Sequence, residues 1–519
     1  MNIITRKLLA KRKRRIERRL RKMNWTEQDR PMLTGTNIHY EVADKARGLG
    51  CGGLGAMHLL VQRTGLAEAI DRDLHLLKVH LPYHESDHVL NLAYNILAGG
   101  TRLEDLELRR NDEVYLDGLG AQRIPDPTTA GDFCRRFAVA DIVGLLETIN
   151  RVRVKLWQQQ PAAFFDQATL DVDGTLVTTY GECKEGMDIS YKGSWGYHPL
   201  VISLANTGEL LYLVNRSGNR PSHEGAGPWL DRAIALCRGA GFKTVLLRGD
   251  TDFTQTEKLD GWDQDGVAFN FGIDAMANLV RLANDLPERA WKRLVREAAY
   301  QVAEAGRARP ENVKARIVKE REFKNIRLNS EDVAEVDYQP TKCRRAYRLV
   351  IVRKNLTVEK GEQALFDDVR YFFHLTNQGD VPITEIVEQA HGRCDQENLI
   401  AQLKGGAAAL ATPVGDLTGN WAYMVMASLA WTLKAWFALS LPETGRWAEK
   451  YQAQKQGLLR MEFKTFLDGL LRVPCQVVRT GRRIVYRLLS WTPWAGVLLR
   501  GVEALRTGLA GVAPYPRRC

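Results

Sequence analysis

The stretch Ala168-Thr-Leu-Asp-Val-Asp-Gly-Thr-Leu-Val177 decides the fold, because it is an apolar, β-prone run that carries two acidic residues. We interpret it as a strand. Residues 200–205 and 209–215 are predicted as two more strands, and Asn206-Thr-Gly208 between them is typical of a hairpin. The patterns that follow predict a helix at 225–238, a strand at 243–247, a helix at 254–262 and a strand at 267–271. The resulting order is β-β-β-α-β-α-β.

This order is that of a ribonuclease-H-like domain, so we predict an α/β catalytic core of that class. Asp173 lies within the first strand and Asp250 directly follows the fourth, where that fold needs acidic residues. An unpaired carboxylate is costly to bury in an otherwise apolar strand, which favours a functional site over a structural role for Asp173. Asp171 lies on the same strand face and is the alternative first acid.

The third acidic residue lies on a predicted helix, His391-Gly-Arg-Cys-Asp-Gln-Glu-Asn-Leu-Ile-Ala-Gln-Leu-Lys404. Because a helix turns about 100° per residue, Arg393, Glu397 and Lys404 fall within about 40° of one another. A carboxylate flanked by two cations suits a metal ion held against a phosphodiester. The alternative interpretation is an exposed helix with common i,i+4 salt bridges, which are weakly stabilising.

Composition changes on both sides of the core. Basic β-strands are predicted at 313–318, 322–328, 333–338, 347–352 and 369–375, and we interpret them as a β-rich insertion before the catalytic glutamate. The regions before and after are predicted to be helical. The predicted division is a basic arm (1–22), a helical N-terminal DNA-binding domain (23–160), the first part of the ribonuclease-H-like core (161–310), the β-rich insertion (311–380), the part of the core that carries the catalytic-glutamate helix (381–440), and a C-terminal helical region that is a candidate for dimerisation (441–519).

Positive charge is concentrated at the N-terminus. Residues 1–22 contain eleven lysines and arginines and one glutamate, a charge of +10, whereas the whole chain carries +11. A dense basic arm binds polyanions, most often nucleic acid. We therefore predict DNA contacts from the arm, at Arg12, Lys13, Arg14, Arg15, Arg18 and Arg19. A solubilising tail is the alternative interpretation of the same residues.

Two further patterns concern the cellular compartment. The N-terminus lacks the apolar run of a signal peptide, and eight scattered cysteines without a CxxC pair fit a reducing cytoplasm. One long apolar run, 421–441, approaches the length of a membrane span. Lys434 within it would cost about 2.5–3.5 kcal/mol at the bilayer centre. We therefore expect a buried helix and no membrane contact.

A five-residue motif supports a different function. Asp171-Val-Asp-Gly-Thr175 matches the signature of the haloacid-dehalogenase-like phosphatases, in which the first aspartate is a nucleophile and the second a general acid. Arg248-Gly-Asp-Thr-Asp252 resembles the later acidic motif of that family. Three early strands without an alternating strand-helix series argue against this interpretation, because a doubly wound sheet requires such alternation.

A broader resemblance covers most of the chain. The sequence is similar to the DDE transposases of bacterial insertion sequences, and within them to the insertion-sequence 1380 branch. The residues that carry the resemblance are Asp173-Gly-Thr175, Gly196-Tyr-His-Pro-Leu200, Arg216-Ser-Gly-Asn-Arg-Pro-Ser222, Leu247-Arg-Gly-Asp250 and the spacing Arg393-x3-Glu397-x6-Lys404. That spacing matches the Tyr/Arg/Glu/Lys signature of related insertion-sequence families, except that Ala390 stands where the tyrosine is expected.

The resemblance implies a DNA transposase that cleaves the ends of an insertion sequence and joins them to target DNA, with a hairpin intermediate. By this resemblance Asp173, Asp250 and Glu397 form a catalytic triad that binds two Mg²⁺ ions, for which Mn²⁺ can substitute. Arg393 and Lys404 would hold the DNA backbone. Trp291 is our candidate for stacking an extruded base, and a core tryptophan is the alternative.

The same resemblance implies partners and a location. The partners would be the terminal inverted repeats and target DNA, bound by a homodimer in a synaptic complex, in the bacterial cytoplasm and associated with the nucleoid. Two alternatives are a nuclease of the same fold that cuts without joining, and a non-catalytic DNA-binding protein derived from a transposase. The presence of all three acids argues against the second.

Overall fold

The computed structural model describes residues 3–21, 38–40, 47–181, 183–296, 313–361, 363–480 and 483–507. The described residues of the N-terminal part, up to residue 160, are mostly helical. The helices are α1 (Ile3–Arg21), then, after the short strand β1 (Gly48–Leu49), α2 (Leu54–Thr64), α3 (Leu66–Asp73), α4 (Glu85–Leu97), α5 (Leu106–Arg110), α6 (Glu113–Leu119), α7 (Pro127–Cys134) and α8 (Val139–Trp157).

A mixed sheet forms the centre of the protein. The elements that build it and cover it are β2 (Gln167–Gly174), β3 (Val177–Thr178), β4 (Asp188–Ile189), β5 (Trp195–Tyr197), β6 (Leu200–Leu204), β7 (Glu209–Val214), α9 (Ala226–Ala240), β8 (Thr244–Gly249), α10 (Thr256–Gln264), β9 (Ala268–Ile273) and α11 (Ala277–Asn284). Five strands lie in the order β7-β6-β2-β8-β9. The first three are antiparallel, and β8 runs parallel to both β2 and β9. The predicted mixed α/β core is confirmed, and its β-β-β-α-β-α-β order holds within the central sheet, although the short strands β3, β4 and β5 intervene between its first two strands.

The β-rich block extends this sheet. Its elements are β10 (Lys292–Arg293), α12 (Val313–Glu320), β11 (Lys324–Tyr338), β12 (Tyr347–Lys360) and β13 (Gln363–Thr376). Strand β13 pairs antiparallel with β9, so that the block and the core share one sheet of nine strands. The sheet therefore continues from the core into a long three-stranded extension formed by β11, β12 and β13.

Two local predictions in this block are wrong. Residues 313–318 belong to the helix α12. The strand prediction failed because Val313 and Ile317 are four residues apart, a spacing that fits one helical turn as well as two strand repeats. The strands predicted at 322–328 and 333–338 are a single strand, β11, whose pairing with β12 shifts register between Leu328 and Ser330. Such a bulge interrupts the alternation without ending the strand.

The C-terminal part of the chain follows strand β13. Its elements are α13 (Ile383–Gly392), α14 (Cys394–Ala401), a π-helical turn (Gln402–Gly406), α15 (Leu417–Leu439), α16 (Ala448–Arg460), α17 (Phe463–Phe466), a second π-helical turn (Leu467–Leu471), β14 (Cys475–Thr480), β15 (Arg483–Leu488) and α18 (Ala495–Thr507). The region predicted to be helical, 441–519, contains the helices α16, α17 and α18, but β14 and β15 form a hairpin within it. This hairpin pairs with β1, a partner more than 400 residues away that no local pattern reveals.

Helix α15 is the apolar run that resembled a membrane span. It is long and apolar enough to cross a membrane by length and composition, but its apolar window is completely buried inside the protein. Lys434 is buried within it, donates a hydrogen bond to the carbonyl oxygen of Leu459 (2.9 Å) and lies 3.9 Å from the ring centroid of Trp431. Burial lowers the pKa of Lys434 to about 7. The expectation of a buried core helix is confirmed.

A buried carboxylate joins the sheet to its covering helices. Glu209, at the start of β7, accepts hydrogen bonds from Arg153 Nε (3.0 Å), Trp157 Nε1 (2.9 Å) and Trp436 Nε1 (2.9 Å). The Thr207 hydroxyl donates a fourth at 2.7 Å. A buried charge is tolerated when it is paired and hydrogen-bonded in this way. The network fixes α8 and α15 against the edge strand and so helps to hold the sheet that carries Asp173.

Candidate active site

Two acidic residues lie at the ends of neighbouring parallel strands. Asp173 is near the end of β2, opposite Val201 of β6, and its Oδ1 accepts a hydrogen bond from the Gly174 amide (2.7 Å). Asp250 follows β8 directly, and its Oδ1 accepts a hydrogen bond from the Asp252 amide (3.1 Å). Because β2 and β8 are parallel and adjacent, both carboxylates lie at the same edge of the sheet.

Helix α14 brings Glu397 to this edge. Gln396 is buried and its side-chain amide donates to the carbonyl oxygen of Val201 (3.0 Å), while the Ser203 hydroxyl donates to its side-chain oxygen. Both partners belong to β6, the neighbour of β2. The helix is therefore attached to the sheet by the residue next to Glu397, whose own side chain is exposed.

Arg393 connects the acids of the helix and the sheet. Its Nη2 donates to Glu397 Oε1 (2.9 Å), and its Nη1 lies 3.5 Å from Asp173 Oδ2. Burial alone would lower the pKa of Arg393, but the charges of Asp173, Asp250 and Glu397 together raise it. All three predicted triad residues therefore act electrostatically on one guanidinium.

The two strand acids repel each other. Burial, with the like charge of Asp250, raises the pKa of Asp173 to about 7 against the opposing effect of Arg393. Burial also raises the pKa of Asp250, and Arg393 opposes this shift as well. The nearby acids Asp252 and Asp274 add to the rise at Asp250. Partly buried carboxylates whose pKa is raised by neighbouring acids lie where negative charge exceeds the positive charge available to neutralise it. Such a pair is typical of a functional site.

Asp171 has a different environment. Both of its oxygens are bound by Arg248, at 2.7 Å from Nε and 2.8 Å from Nη2, and the pair is buried. Arg248 also donates to the carbonyl oxygen of Gln389 in α13 (3.1 Å). Asp171 therefore has a structural partner, which favours Asp173 as the first acid. It also argues against the phosphatase interpretation, in which Asp171 would be a free nucleophile.

Lys404, the second cation of the predicted helical stripe, lies beside the same strand. It is in the π-helical turn after α14, and its Nζ donates to the carbonyl oxygen of Leu176 (2.7 Å), three residues after Asp173. Burial and the nearby charge of Lys192 lower the pKa of Lys404, and Asp173 opposes this shift. The structure thus brings together Asp173, Asp250, Glu397, Arg393 and Lys404.

Trp291 directly precedes β10, and its ring contacts residues of β12 and β13. The guanidinium of Arg353 stacks over its ring at 4.3 Å, and the ring of Tyr371 lies 6.0 Å away. Arg353 is itself held by Glu288 through two hydrogen bonds, at 2.9 and 2.6 Å. One face of the Trp291 ring is therefore covered by protein. Its role in base stacking stays a prediction.

The basic arm is the helix α1. Arg12 donates to the carbonyl oxygen of Leu488 at the end of β15 (2.6 Å), and Lys13 lies 5.8 Å from the ring of Trp491. Four other predicted DNA-contacting residues are exposed along the helix, namely Arg14, Arg15, Arg18 and Arg19. The arm therefore contacts the end of the C-terminal hairpin through Arg12 and the segment after it through Lys13, and it presents these four arginines to solvent.

Sequence reasoning gave no role to His198 and Arg216, which border the site. His198 is buried, its Nδ1 lies 2.8 Å from the carbonyl oxygen of Arg220, and a Cβ at Gly174 would lie 2.8 Å from its Nε2. Arg216 donates to the carbonyl oxygens of His198 (2.9 Å) and Glu224 (2.7 Å), and burial lowers its pKa to about 10. The two motifs that contain them were visible in the sequence, but their packing against Gly174 was not.

The carboxylates fit a divalent ion in their chemistry. Hard ions such as Mg²⁺ prefer carboxylate oxygens, and Asp173 and Asp250 form a pair that is short of positive charge. Glu397 is instead paired with Arg393, and among the described residues no three His, Cys, Asp or Glu side chains are grouped as metal ligands. The donor types therefore suit a metal, while the third carboxylate is paired with an arginine in this structure.

Comparison with known proteins identifies the class. A family model described as transposase DDE domain group 1 matches residues 50–508, and the chain belongs to this family. It is thus a DDE transposase, an enzyme that cleaves DNA and transfers strands. A cryo-EM structure of the piggyBac transposase synaptic complex with hairpin DNA is similar at 11% sequence identity, with a TM-score of 0.36 and 81% of each chain covered. No curated protein matches the sequence.

Proposed function

We propose that this transposase moves an insertion sequence of the 1380 branch, with Asp173, Asp250 and Glu397 as its catalytic triad. The observation that carries the proposal is the position of Arg393, which contacts Asp173 and Glu397 and responds to the charge of Asp250. A single cation that three widely separated acids surround marks one site. The spacing Arg393-x3-Glu397-x6-Lys404 supports the assignment to the insertion-sequence branch.

DDE transposases generally use divalent metal ions, and we propose that the three carboxylates hold two Mg²⁺ ions, or Mn²⁺ in their place. Two such ions would activate the attacking oxygen and stabilise the leaving oxygen of the phosphodiester. The protein contributes the sheet edge that holds Asp173 and Asp250, and the Gln396 contacts that hold α14. Glu397 joins the other two acids when the Arg393 guanidinium turns to the DNA backbone, for which its planar fork is well suited.

The DNA partners follow from the same site. Arg393 and Lys404 would bind the backbone at the terminal inverted repeat, close to Asp173, and the exposed arginines of α1 would bind DNA further away. We propose a homodimer that pairs two ends in a synaptic complex, and a hairpin intermediate in excision. We also propose that the protein works in the bacterial cytoplasm, on the nucleoid.

The regions around the core would have separate tasks. We propose that residues 23–160 recognise the DNA end, that the block 311–380 lines the DNA path, and that residues 441–519 take part in dimerisation. The strands β11 and β12 of this block carry positive side chains that are exposed or half-buried, namely Lys324, Arg327 and Lys354. Positive side chains along these strands are suited to contacts with phosphate groups.

The function is tested with DNA that carries the terminal repeats of the element. We expect the protein and Mg²⁺ to release the element end, to produce a hairpin that migrates as double-length strand on a denaturing gel, and to join the end to target DNA. Cleavage without joined products would support the nuclease alternative. Binding without cleavage, in Mg²⁺ or Mn²⁺, would support the non-catalytic alternative.

A further inference from the structure

The connection between β2 and β6 is unusually elaborate. Two neighbouring antiparallel strands can be joined by a turn of two residues, but here residues 175–199 intervene. They form a separate three-stranded sheet in the order β3-β5-β4. We call its described residues 177–181 and 183–197 the aromatic flap. It begins four residues after Asp173, so that it borders the candidate active site.

The flap exposes large aromatic side chains. Tyr180 is 96% exposed, Tyr191 is 79% exposed and Trp195 is 53% exposed. Trp195 lies on strand β5, whereas Tyr180 and Tyr191 lie in the segments that connect the three strands. Single exposed apolar residues are common on soluble proteins, but three exposed aromatic side chains within one short segment point to a binding surface. Beside them is a cavity of about 580 Å³, lined among others by Tyr180, Met187 and Trp195. This volume lies within the range of about 300–1,000 Å³ that is typical of small-ligand sites.

The flap is held in place by contacts with the rest of the protein. The hydroxyl of Tyr197 donates to the carbonyl oxygen of Glu185 (2.8 Å), whose amide donates to the carbonyl oxygen of Gly415 (2.7 Å). Gly218 packs so closely on the flap that a Cβ there would lie 2.4 Å from the carbonyl oxygen of Asp188. The aromatic surface is therefore carried by an anchored element, which reduces the entropy lost on binding.

Positive charge adjoins the aromatic side chains of the flap. Lys192 Nζ lies 5.4 Å from the ring centroid of Tyr191. Lys192 is also close enough to Lys404 to act on it electrostatically, and Lys404 donates to the carbonyl oxygen of Leu176 just before the flap. Aromatic rings interleaved with lysines are the combination that binds unpaired nucleotides, because rings stack on bases while cations contact the backbone.

We propose that the aromatic flap binds unpaired nucleotides of the DNA strand next to the phosphodiester that is cleaved, by stacking bases on Tyr180, Tyr191 and Trp195. This inference rests on the proposed function for the position of the DNA. It assigns the single-stranded part of the substrate to the flap, which connects β2 to β6 along the chain. The flap contains neither the triad residues nor Trp291. A duplex end would have to open by a few bases to reach it.

The test measures binding of a fluorescent oligothymidylate of twelve nucleotides, and of a duplex of the same length, to the full chain without metal. Loss of one stacked base should weaken single-strand binding roughly 5- to 150-fold. We expect this loss in Tyr191→Ala and Trp195→Ala, little change in duplex binding, and recovery in Tyr191→Phe and Trp195→Phe, which keep a ring. Trp447→Ala is the matched control, since Trp447 is 55% exposed and lies outside the flap.

Equal single-strand affinity in the wild type and the alanine variants would overturn the proposal, as would an equal loss in Trp447→Ala. A change of oligomeric state in the alanine variants with unchanged oligonucleotide affinity would assign the flap to a protein interface and would also overturn it. Because affinity is read without cleavage, the result is independent of catalysis. If the wild type cleaves DNA and the flap variants bind the oligonucleotide as tightly as the wild type, the proposed function stands and only the role of the flap is wrong.

Discussion

Arg248 holds both oxygens of Asp171, two residues before Asp173 on strand β2, at 2.7 and 2.8 Å in a buried ion pair. The pair joins β2 to β8 and, through the carbonyl oxygen of Gln389, to α13. Two aspartates on the same strand thus have separate tasks. Asp171 fixes the strands and the helix, while the carboxylate of Asp173 faces Arg393.

We predict that Asp171→Ala lowers the free energy of unfolding, whereas Asp173→Ala does not. Removal of one partner of a buried pair leaves an unpaired charge and costs about 3–5 kcal/mol. The free energy of unfolding, measured by urea denaturation, should fall by about this amount in Asp171→Ala. In Asp173→Ala it should stay constant or rise, because that carboxylate is repelled by Asp250. Similar losses in both variants would contradict the separation of roles.

Gly392 is expected to be required for the position of Arg393. A Cβ at residue 392 would lie 2.4 Å from Arg248 Nη1, whereas a Cβ at Gly405 would meet open space. Gly392→Ala should displace Arg248 or the start of α14, and a displacement of about 1 Å can cost up to about 100-fold in rate. DNA cleavage should therefore fall about 10- to 100-fold in Gly392→Ala and stay near the wild-type rate in Gly405→Ala. Equal rates in both variants would show that this close approach is unimportant.

Lys434 should make stability depend on pH. Burial lowers its pKa to about 7 in the folded protein, from 10.5, so the unfolded chain binds the proton more tightly. The cost of charging Lys434 is therefore complete below about pH 7, and it disappears as the pH rises towards 10.5. The free energy of unfolding of the wild type should increase over this range, by up to about 5 kcal/mol relative to Lys434→Met.

The control for this measurement is Lys450→Met, since Lys450 is exposed on α16. Its stability should follow the wild-type pH dependence, because this variant retains the buried Lys434. A parallel pH dependence in Lys434→Met and the wild type would show that the buried amine stays charged throughout.

The exposed arginines of α1 should contribute to DNA affinity through phosphate contacts. Each contact adds a slope of about −0.9 to the dependence of log affinity on log salt concentration. Replacing Arg14, Arg15, Arg18 and Arg19 with alanine should flatten the slope by up to about 3.6, whereas lysines at the same positions should preserve it. A slope that is unchanged by alanine would place the DNA surface elsewhere and favour the solubilising-tail interpretation.

The sequence was sufficient to predict the core, because its strands are short apolar runs whose order is local information. Asp173 and Asp250 stand out in it, since each interrupts or follows such a run. Glu397 and Arg393 stand out through their helical spacing. The structure brings these four side chains to one edge of the sheet.

Other features depend on contacts that the sequence does not display. The partner of Asp171 is an arginine 77 residues away, the hairpin β14–β15 pairs with residues 48 and 49, and α12 has a pattern that also fits a strand. The aromatic flap escaped prediction because its three strands have only two or three residues each, too few to show a period. Its significance comes from exposure, which only a structure reveals.

The most direct test of the triad is Mg²⁺-dependent cleavage and joining of terminal-repeat DNA by Asp173→Asn, Asp250→Asn and Glu397→Gln. Glu388→Gln is the matched control, because Glu388 is an exposed carboxylate on α13. We predict that each triad variant binds the DNA and neither cleaves nor joins it, while Glu388→Gln behaves as the wild type. Cleavage by any one of the three triad variants at the wild-type rate would contradict the assignment of that residue and, with it, a single three-carboxylate site.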